Sequence, residues 1–268
     1  MVSNSGTATL QGARNSQEDC TASVTVADVA LFGVFDGHGG KETAEYCAEN
    51  LASSFAAAHR GCRTTKGSGR IERSLHDAIL ALAAATANHL LVGTTANVVA
   101  INRSYIICAN VGDSRAILLR VGGVGSPLSN DHKVSSSVTE RARLENAGVH
   151  EKGYMDDVYV YVNRQMGLAV TRSIGDTFFR HVGVIATPEI RTVRRSPEDR
   201  LVVMASDGVW DAMSSDEVAA FVWNEWGQLD RDQSDWCTVI AERLVAQAIF
   251  CGSRDNVTAQ VVALSLSF

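Results

Sequence analysis

Acidic residues recur in this sequence at one kind of place: the ends of apolar runs, beside Gly or Asn. Asp36 and Gly37 follow LFGVF, Asp113 sits in NVGDSR, and Asp207 and Gly208 follow LVVMAS, with Asp211 four residues on. Asp255 and Asn256 precede the last apolar run, and Glu18 and Asp19 stand before another. Any one of these alone is by default a turn residue, because Asp and Gly dominate turns for local backbone reasons. Five such places in 268 residues point further. If those ends converge, the carboxylates crowd together, and they cannot all stay ionised without a cation. Carboxylates with no His or Cys among them suit Mg2+ or Mn2+ rather than zinc. Two such ions sharing a bridging carboxylate would turn a water into a hydroxide nucleophile and clamp an in-line displacement at phosphorus. Gly37, lacking a side chain, lets its backbone carbonyl approach a metal closely.

Two basic residues stand beside these acids. Arg14 lies four residues before Glu18. An isolated arginine is more often a surface residue, but this neighbourhood favours a planar guanidinium that grips a phosphate at two points. His38, next to Gly37, is either a turn histidine or an acid that protonates a leaving alkoxide. His132 in NDHK reads as structural.

The elements that must position these groups alternate in blocks. Strand-like runs ATLQ, CTASVTV and VALFGVFD come first. Residues 41–58 then carry Ala44, Cys47, Ala48, Leu51 and Phe55 at helical spacing, and 70–91 carry Leu75, Ile79 and Leu82. The segment 60–70 between them reads as a surface loop. Strands resume at NVVAIN, SYIICANV and RAILLR. A helix at 138–147 opens on the capping-box pair Ser137 and Glu140 and stops at Gly148. Strand-like pieces at 158–162 and 166–170 precede LVVMAS. Ser214 and Glu217 open a further helix, which Gly227 closes, and Ser234 is placed to cap one bearing Trp236, Ile240, Leu244 and Ala248. The long strand NVTAQVVALSL ends the chain. Several strands are apolar on both faces and so are covered on both sides. Short connections such as INRSYI and NVGDSR make the pairing antiparallel. An α+β fold, a four-layer αββα sandwich of two antiparallel sheets packed face to face and flanked by helices, satisfies both facts. A doubly wound parallel sheet fits less well.

Composition narrows the partners. A net charge of −6 argues against nucleic acid. The short basic groups Arg60, Arg63, Lys66, Arg70, Arg73 and Arg191, Arg194, Arg195 read as solvated faces. Six scattered cysteines form no C-x-x-C pair, and Cys47 and Cys108 sit among apolar neighbours as small hydrophobes. There is no signal-like segment at the start, no glycine at position 2 for myristoylation, and no run that could span a bilayer. Three prolines and no low-complexity linker favour one domain over residues 1–268. These features predict a monomeric, membrane-free protein with reduced thiols in the cytoplasm, with the nucleus open as well.

The motifs, in order, resemble the metal-dependent protein phosphatase 2C family of Ser/Thr phosphatases. The pieces are QGARNSQED, FGVFDGHGG, GTTA, NVGDSR, NDHK, ERARLENAG, LAVTRSIGD, PEI, ASDGVWD and RDNVT, spread over nearly the whole chain. The resemblance implies direct hydrolysis of phosphoserine and phosphothreonine in phosphoprotein substrates by a hydroxide between two Mg2+ or Mn2+ ions, without a phosphoenzyme. It implies Glu18, Asp36 and the Gly37 carbonyl as ligands of one ion, and Asp36, Asp207 and Asp255 as ligands of the other. Arg14 matches the phosphate-binding arginine, His38 the proposed general acid, and Asp19 an acid orienting metal-bound water. Asp113 and Asp211 match the acids that, with Asp207, hold a looser third ion in some members. The chain departs from the family in having Val134 where proline is usual, which implies a less rigid turn. The segments 150–165 and 177–187 fall in the variable flap beside the active site.

Two other readings compete. A scaffold with the same fold and no turnover would be marked by loss of a metal acid or Arg14, and every one is present. A nucleotide loop would need G-x-G-x-x-G or G-K-[ST], and GHGGKE has neither the third glycine nor the hydroxyl after lysine.

Overall fold

The computed structural model describes residues 2–62, 67–149, 155–156, 158–163, 165–229 and 234–265. Two five-stranded sheets form its centre, and every ladder in them is antiparallel. The first runs Val2–Leu10, Val257–Leu264, Asp199–Ala205, Arg115–Arg120, Gly125–Pro127. The second runs Glu189–Arg194, Tyr105–Val111, Ala96–Ile101, Val29–Phe35, Cys20–Val26.

The strands apolar on both faces divide their side chains by the two-residue period of a strand. From Val29–Phe35, Phe32 and Val34 face the other sheet, while Leu31 and Phe35 face outward onto helices. From Asp199–Ala205, Val202 and Met204 point inward, and Leu201, Val203 and Ala205 point to the opposite helices. Phe32, Val99, Ile106 and Cys108 thus meet Leu118, Met204, Val262 and Leu264 between the sheets. The helices Glu42–Gly61 and Ser68–Ala85 cover one outer face with Leu51, Phe55, Leu75 and Ile79. The helices Ser215–Gln228 and Trp236–Phe250 cover the other with Val218, Val222, Ile240 and Leu244. This is the αββα order that the sequence predicts. Among the described residues, no helix is long and apolar enough to cross a membrane.

Several local expectations need correction. The first strand is longer than ATLQ, because Val2–Leu10 pairs along the whole of Val257–Leu264. The second helix stops at Ala85, where the Thr86 hydroxyl turns back onto the Leu82 carbonyl, instead of running to 91. Of the loop between the two helices, 60–61 and 68–70 are helical, and 63–66 lie outside the described residues. Ser234 does not cap the last helix; Asp235 occupies that position without a side-chain hydrogen bond. Arg195 is buried rather than solvated, and its Nη2 donates to the Ser265 carbonyl at 2.9 Å.

A smaller apolar cluster lies beside the sandwich, built from Val134, Leu144, Val149, Met155, Val160, Phe179, Val182 and Val184. It joins the helix Val138–Asn146, the hairpin Val160–Asn163 with Met166–Leu168, and the 3-10 turn Thr177–Val182. Of the expected flap segments, 150–154, 157 and 164 lie outside the described residues. Val134, in the place of the usual proline, is anchored by burial in this cluster.

One polar network ties the flap to the sandwich. Ser137 Oγ accepts from the Glu140 backbone N–H at 3.3 Å, but the box is half made, because Glu140 does not reach back. Its buried carboxylate instead accepts from Arg172 Nη2 at 2.6 Å, Arg143 Nη2 at 2.8 Å and Thr171 Oγ1 at 2.6 Å. Burial pushes the Glu140 pKa up, yet the hydrogen bonds from Arg172, Arg143 and Thr171 outweigh it and hold it at about 2. A depressed carboxylate pKa stabilises the fold above the ordinary value and loses that stability as pH falls through the folded one. Glu140→Gln should therefore lower unfolding stability by roughly 3 kcal/mol at neutral pH, by leaving two arginines beside an uncharged partner. The variant and wild type should converge as pH falls from 4.5 toward about 2, as read by urea unfolding. A constant gap across that window would contradict the assignment.

Candidate active site

Antiparallel register decides where the acids go. Cys20 lies opposite Phe35, so Glu18 and Asp19, before one strand, meet Asp36, after its neighbour. Ala205 lies opposite both Ala259 and Arg115, which brings Asp207, Asp255 and Asp113 to the same end of the other sheet. The two edges are stitched together across the sandwich. Ser206 Oγ donates to Asp19 Oδ2 at 2.9 Å and accepts from the Thr258 backbone at 3.0 Å. Asn256 Oδ1 accepts from the Glu18 backbone at 2.9 Å, while its Nδ2 donates to the carbonyls of Gln11 and Ser16 at 2.8 Å. That single side chain holds the loop carrying Arg14 and Glu18 against the last strand.

The result is a cavity of about 710 Å³ lined by Arg14, Glu18, Asp36, Gly37, His38, Asp113, Asp207 and Asp255 on one wall. Tyr159, Met166, Leu168 and Phe179 of the flap line the other. Two of the predicted residues do not line it. Asp19 lies behind the wall, buried, with Oδ1 lacking a partner among the described residues. Asp211 opens instead into an adjoining cavity of about 390 Å³, which it shares with Arg14, Asp207 and Asp255.

Close backbone packing makes the wall possible. A Cβ on Gly37 would stand 2.4 Å from the Glu18 carbonyl oxygen, and one on Gly208 would stand 2.0 Å from that of Asn256. The close approach that requires glycine at position 37 is thus to the neighbouring acidic segment. Asp36 is fixed by Thr95, whose Oγ1 accepts from the Asp36 N–H at 3.0 Å and whose N–H donates to the Asp36 carbonyl at 2.9 Å.

Crowding shows in the electrostatics. The Asp36 pKa is raised well above the ordinary carboxylate range, by burial first and then by the charges of Asp19, Asp207 and Asp113. Asp207 is pushed up to about 8 by burial and by Asp113, with Lys133 opposing. Burial likewise raises Asp113, against the pull of Lys133. Basic groups answer part of this charge. Arg14 Nη2 donates to Asp255 Oδ2 at 2.6 Å, so its partner here is Asp255 rather than the nearby Glu18. Lys133 Nζ stands 2.9 Å from Asp113 Oδ2 and 3.1 Å from Asp211 Oδ1.

Five carboxylates sharing one wall, three of them with pKa values raised by burial and mutual repulsion, and one oxygen of Asp19 unpartnered, are the setting in which a cation is favoured. Among the described residues no three or more His, Cys, Asp or Glu side chains are already gathered closely enough to hold a metal ion by themselves. Structural zinc needs four such protein ligands. Mg2+ takes one or two carboxylates and keeps several waters, and the open acidic wall fits that donor set.

Comparisons with known proteins identify the family. A profile of the family described as Protein phosphatase 2C matches residues 4–257. The chain belongs to the protein phosphatase 2C family. The family is one of protein serine/threonine phosphatases, which are hydrolases. The chain is 35% identical over 262 residues to Probable protein phosphatase 2C 69 of Arabidopsis thaliana, covering 96% of this chain and 69% of that one. It is equally identical, over 262 residues, to Probable protein phosphatase 2C 71 of the same plant, but spans only 54% of that relative's length. The crystal structure of a phosphatase from Toxoplasma gondii shares the fold with a TM-score of 0.77, at 24% identity, covering 98% of this chain and 93% of that one.

Within this phosphatase 2C chain, the ring of His38 has a partner that was not read from sequence. Asp176, at the end of LAVTRSIGD, accepts a hydrogen bond from His38 Nε2 at 2.6 Å. A three-stranded patch of two-residue strands, Ile174–Gly175, Gly93–Thr94 and Gly37–His38, brings them together. Strands that short carry no periodicity, so only the acid-after-glycine motif could have hinted at the pairing. Burial pulls the His38 pKa down, but the Asp176 hydrogen bond and charge, followed by Asp113 and Glu18, raise it above the ordinary value. His132, in contrast, is structural as expected: it is buried, and its Nδ1 accepts from the Gly112 N–H at 3.1 Å. Gly93 lies under the His38–Asp176 contact, where a Cβ would come within 2.0 Å of Asp176 Oδ2 and 2.4 Å of His38 Nε2. Gly93→Ala should therefore separate the pair and abolish the downfield imidazole N–H proton resonance in NMR. An unchanged resonance in the folded variant would contradict the contact.

Proposed function

We propose that this chain is a metal-dependent protein serine/threonine phosphatase that hydrolyses phosphoserine and phosphothreonine directly, with no phosphoenzyme. The observation that carries the reading is the convergence of Glu18, Asp36, Asp113, Asp207 and Asp255 with Arg14 and His38 on one cavity. Family membership supports the reaction class.

In this reading Glu18, Asp36 and the Gly37 carbonyl would hold one divalent ion, and Asp36, Asp207 and Asp255 would hold a second. Two Mg2+ or Mn2+ ions, when bound, would supply a nucleophilic water and neutralise charge at a phosphoryl group. Arg14, 62% exposed at the rim, is free to exchange its Asp255 partner for two phosphate oxygens. His38 faces the cavity with Asp176 fixing its ring, and donates a proton to the departing seryl or threonyl oxygen. Asp19 acts from behind the wall, its free Oδ1 aiding the orientation of the attacking water. The apolar flap wall of Tyr159, Met166, Leu168 and Phe179 excludes water and rests against the substrate's peptide.

Asp36→Asn and Asp207→Asn should each lower Mn2+-dependent release of phosphate from a phosphothreonine peptide by about a hundredfold or more, with circular dichroism unchanged. Retained turnover in either variant would sink the reading. Mn2+ at about 100 times its Kd should stabilise the wild type against unfolding by about 2.7 kcal/mol, and Asp36→Asn should lose most of that gain. Equal stabilisation of both proteins in thermal melts would remove Asp36 from the metal site.

A further inference from the structure

Lys133 belongs to NDHK, a motif to which the reading above assigns no chemistry. Its place is built into the backbone. The preceding residue, His132, donates its N–H to the Gly112 carbonyl at 3.0 Å and accepts the Gly112 N–H on Nδ1 at 3.1 Å. Gly112 adjoins Asp113, so the segment carrying Lys133 is bolted to the turn carrying that acid. On the other side Lys133 forms a bridge with Val170, and its carbonyl accepts from the Ser137 N–H at 3.0 Å. The ammonium is thereby held 2.9 Å from Asp113 Oδ2 and 3.1 Å from Asp211 Oδ1.

By the family resemblance these are the two acids that, with Asp207, would receive a third divalent ion. We propose that the Lys133 ammonium occupies the place of that third ion and holds the metal capacity of this chain at two. The proposal rests on the two-ion reading above. An ammonium and a divalent ion at one position repel strongly in a partly buried setting, so only one can be present. Arg14 and Lys133 differ in this respect. The Arg14 side chain is 62% exposed and can swing away from Asp255, whereas Lys133 is 17% exposed and packed between two chain segments. Leaving would take Lys133 out of a site where Asp113 satisfies it, so an incoming ion must overcome that loss as well as gain its ligands. Asp211, with a side chain 67% exposed, gives a hydrated third ion a loose approach at best.

Counting bound Mn2+ by equilibrium dialysis with metal analysis tests this directly on the wild-type chain, Lys133→Met and Lys133→Arg. The wild type should saturate at two ions. Lys133→Met should take up a third at a concentration at least about tenfold lower than any third uptake by the wild type. Lys133→Arg, which keeps a cation there, should remain at two, whereas a merely structural lysine would give Lys133→Met and Lys133→Arg the same count. A wild type that binds three ions at similar concentrations, or a folded Lys133→Met that gains none, overturns the proposal while leaving the two-ion reading intact. If Lys133→Met does not fold, the wild-type count decides alone, with two ions supporting the proposal and three overturning it. A wild type that binds no Mn2+ overturns the two-ion reading and this proposal together.

Discussion

Repulsion between carboxylates crowded at one edge of a β-sandwich is the constraint that the rest of this molecule answers. Asp36, Asp113 and Asp207 come to that edge because antiparallel register places the end of one strand beside the start of the next. Left to themselves in a partly buried wall they would protonate or push apart, which is the meaning of an Asp207 pKa near 8. The scaffold resists separation through two apolar clusters between sheet and helices and a third between the sheets. It also pins the edge locally, with Ser206 and Asn256 linking segments about 190 to 240 residues apart in the chain.

The counter-charges are graded by how firmly they are held. Lys133 is locked by the His132–Gly112 clasp, so the acids beside it keep a permanent cation. Arg14 is at the rim on a glycine-bearing loop, where it can change partners. Between these extremes His38 is steadied by Asp176, which arrives on the strand patch that the flap's network of Glu140, Thr171 and Arg172 anchors from below. The buried Glu140 thus holds Thr171 and Arg172, in the chain that leads to Asp176.

The sandwich was legible because its strands are apolar on both faces and their connections are short, two signals that physics ties to covered, antiparallel sheets. The cap at Ser214 reads correctly, since both halves of its box form. The same motif at Ser137 reads only half correctly, because tertiary partners recruit Glu140 away from local capping. Acids at strand ends pointed to the site, since turn residues there have a common edge to share. What the sequence did not disclose depends on contacts between distant, non-periodic pieces: Asp176 reaching His38 through two-residue strands, Lys133 lodged between Asp113 and Asp211, and Arg195 turned inward.

The central claim is that Asp36 is the shared carboxylate of a pair of divalent ions. The most direct measurement is anomalous diffraction at the manganese edge from crystals equilibrated with Mn2+. The account predicts two peaks, one on each side of Asp36, with Glu18 and the Gly37 carbonyl at one and Asp207 and Asp255 at the other. A map with no peak in contact with Asp36, or with Mn2+ bound only at acids outside the cavity, would contradict it.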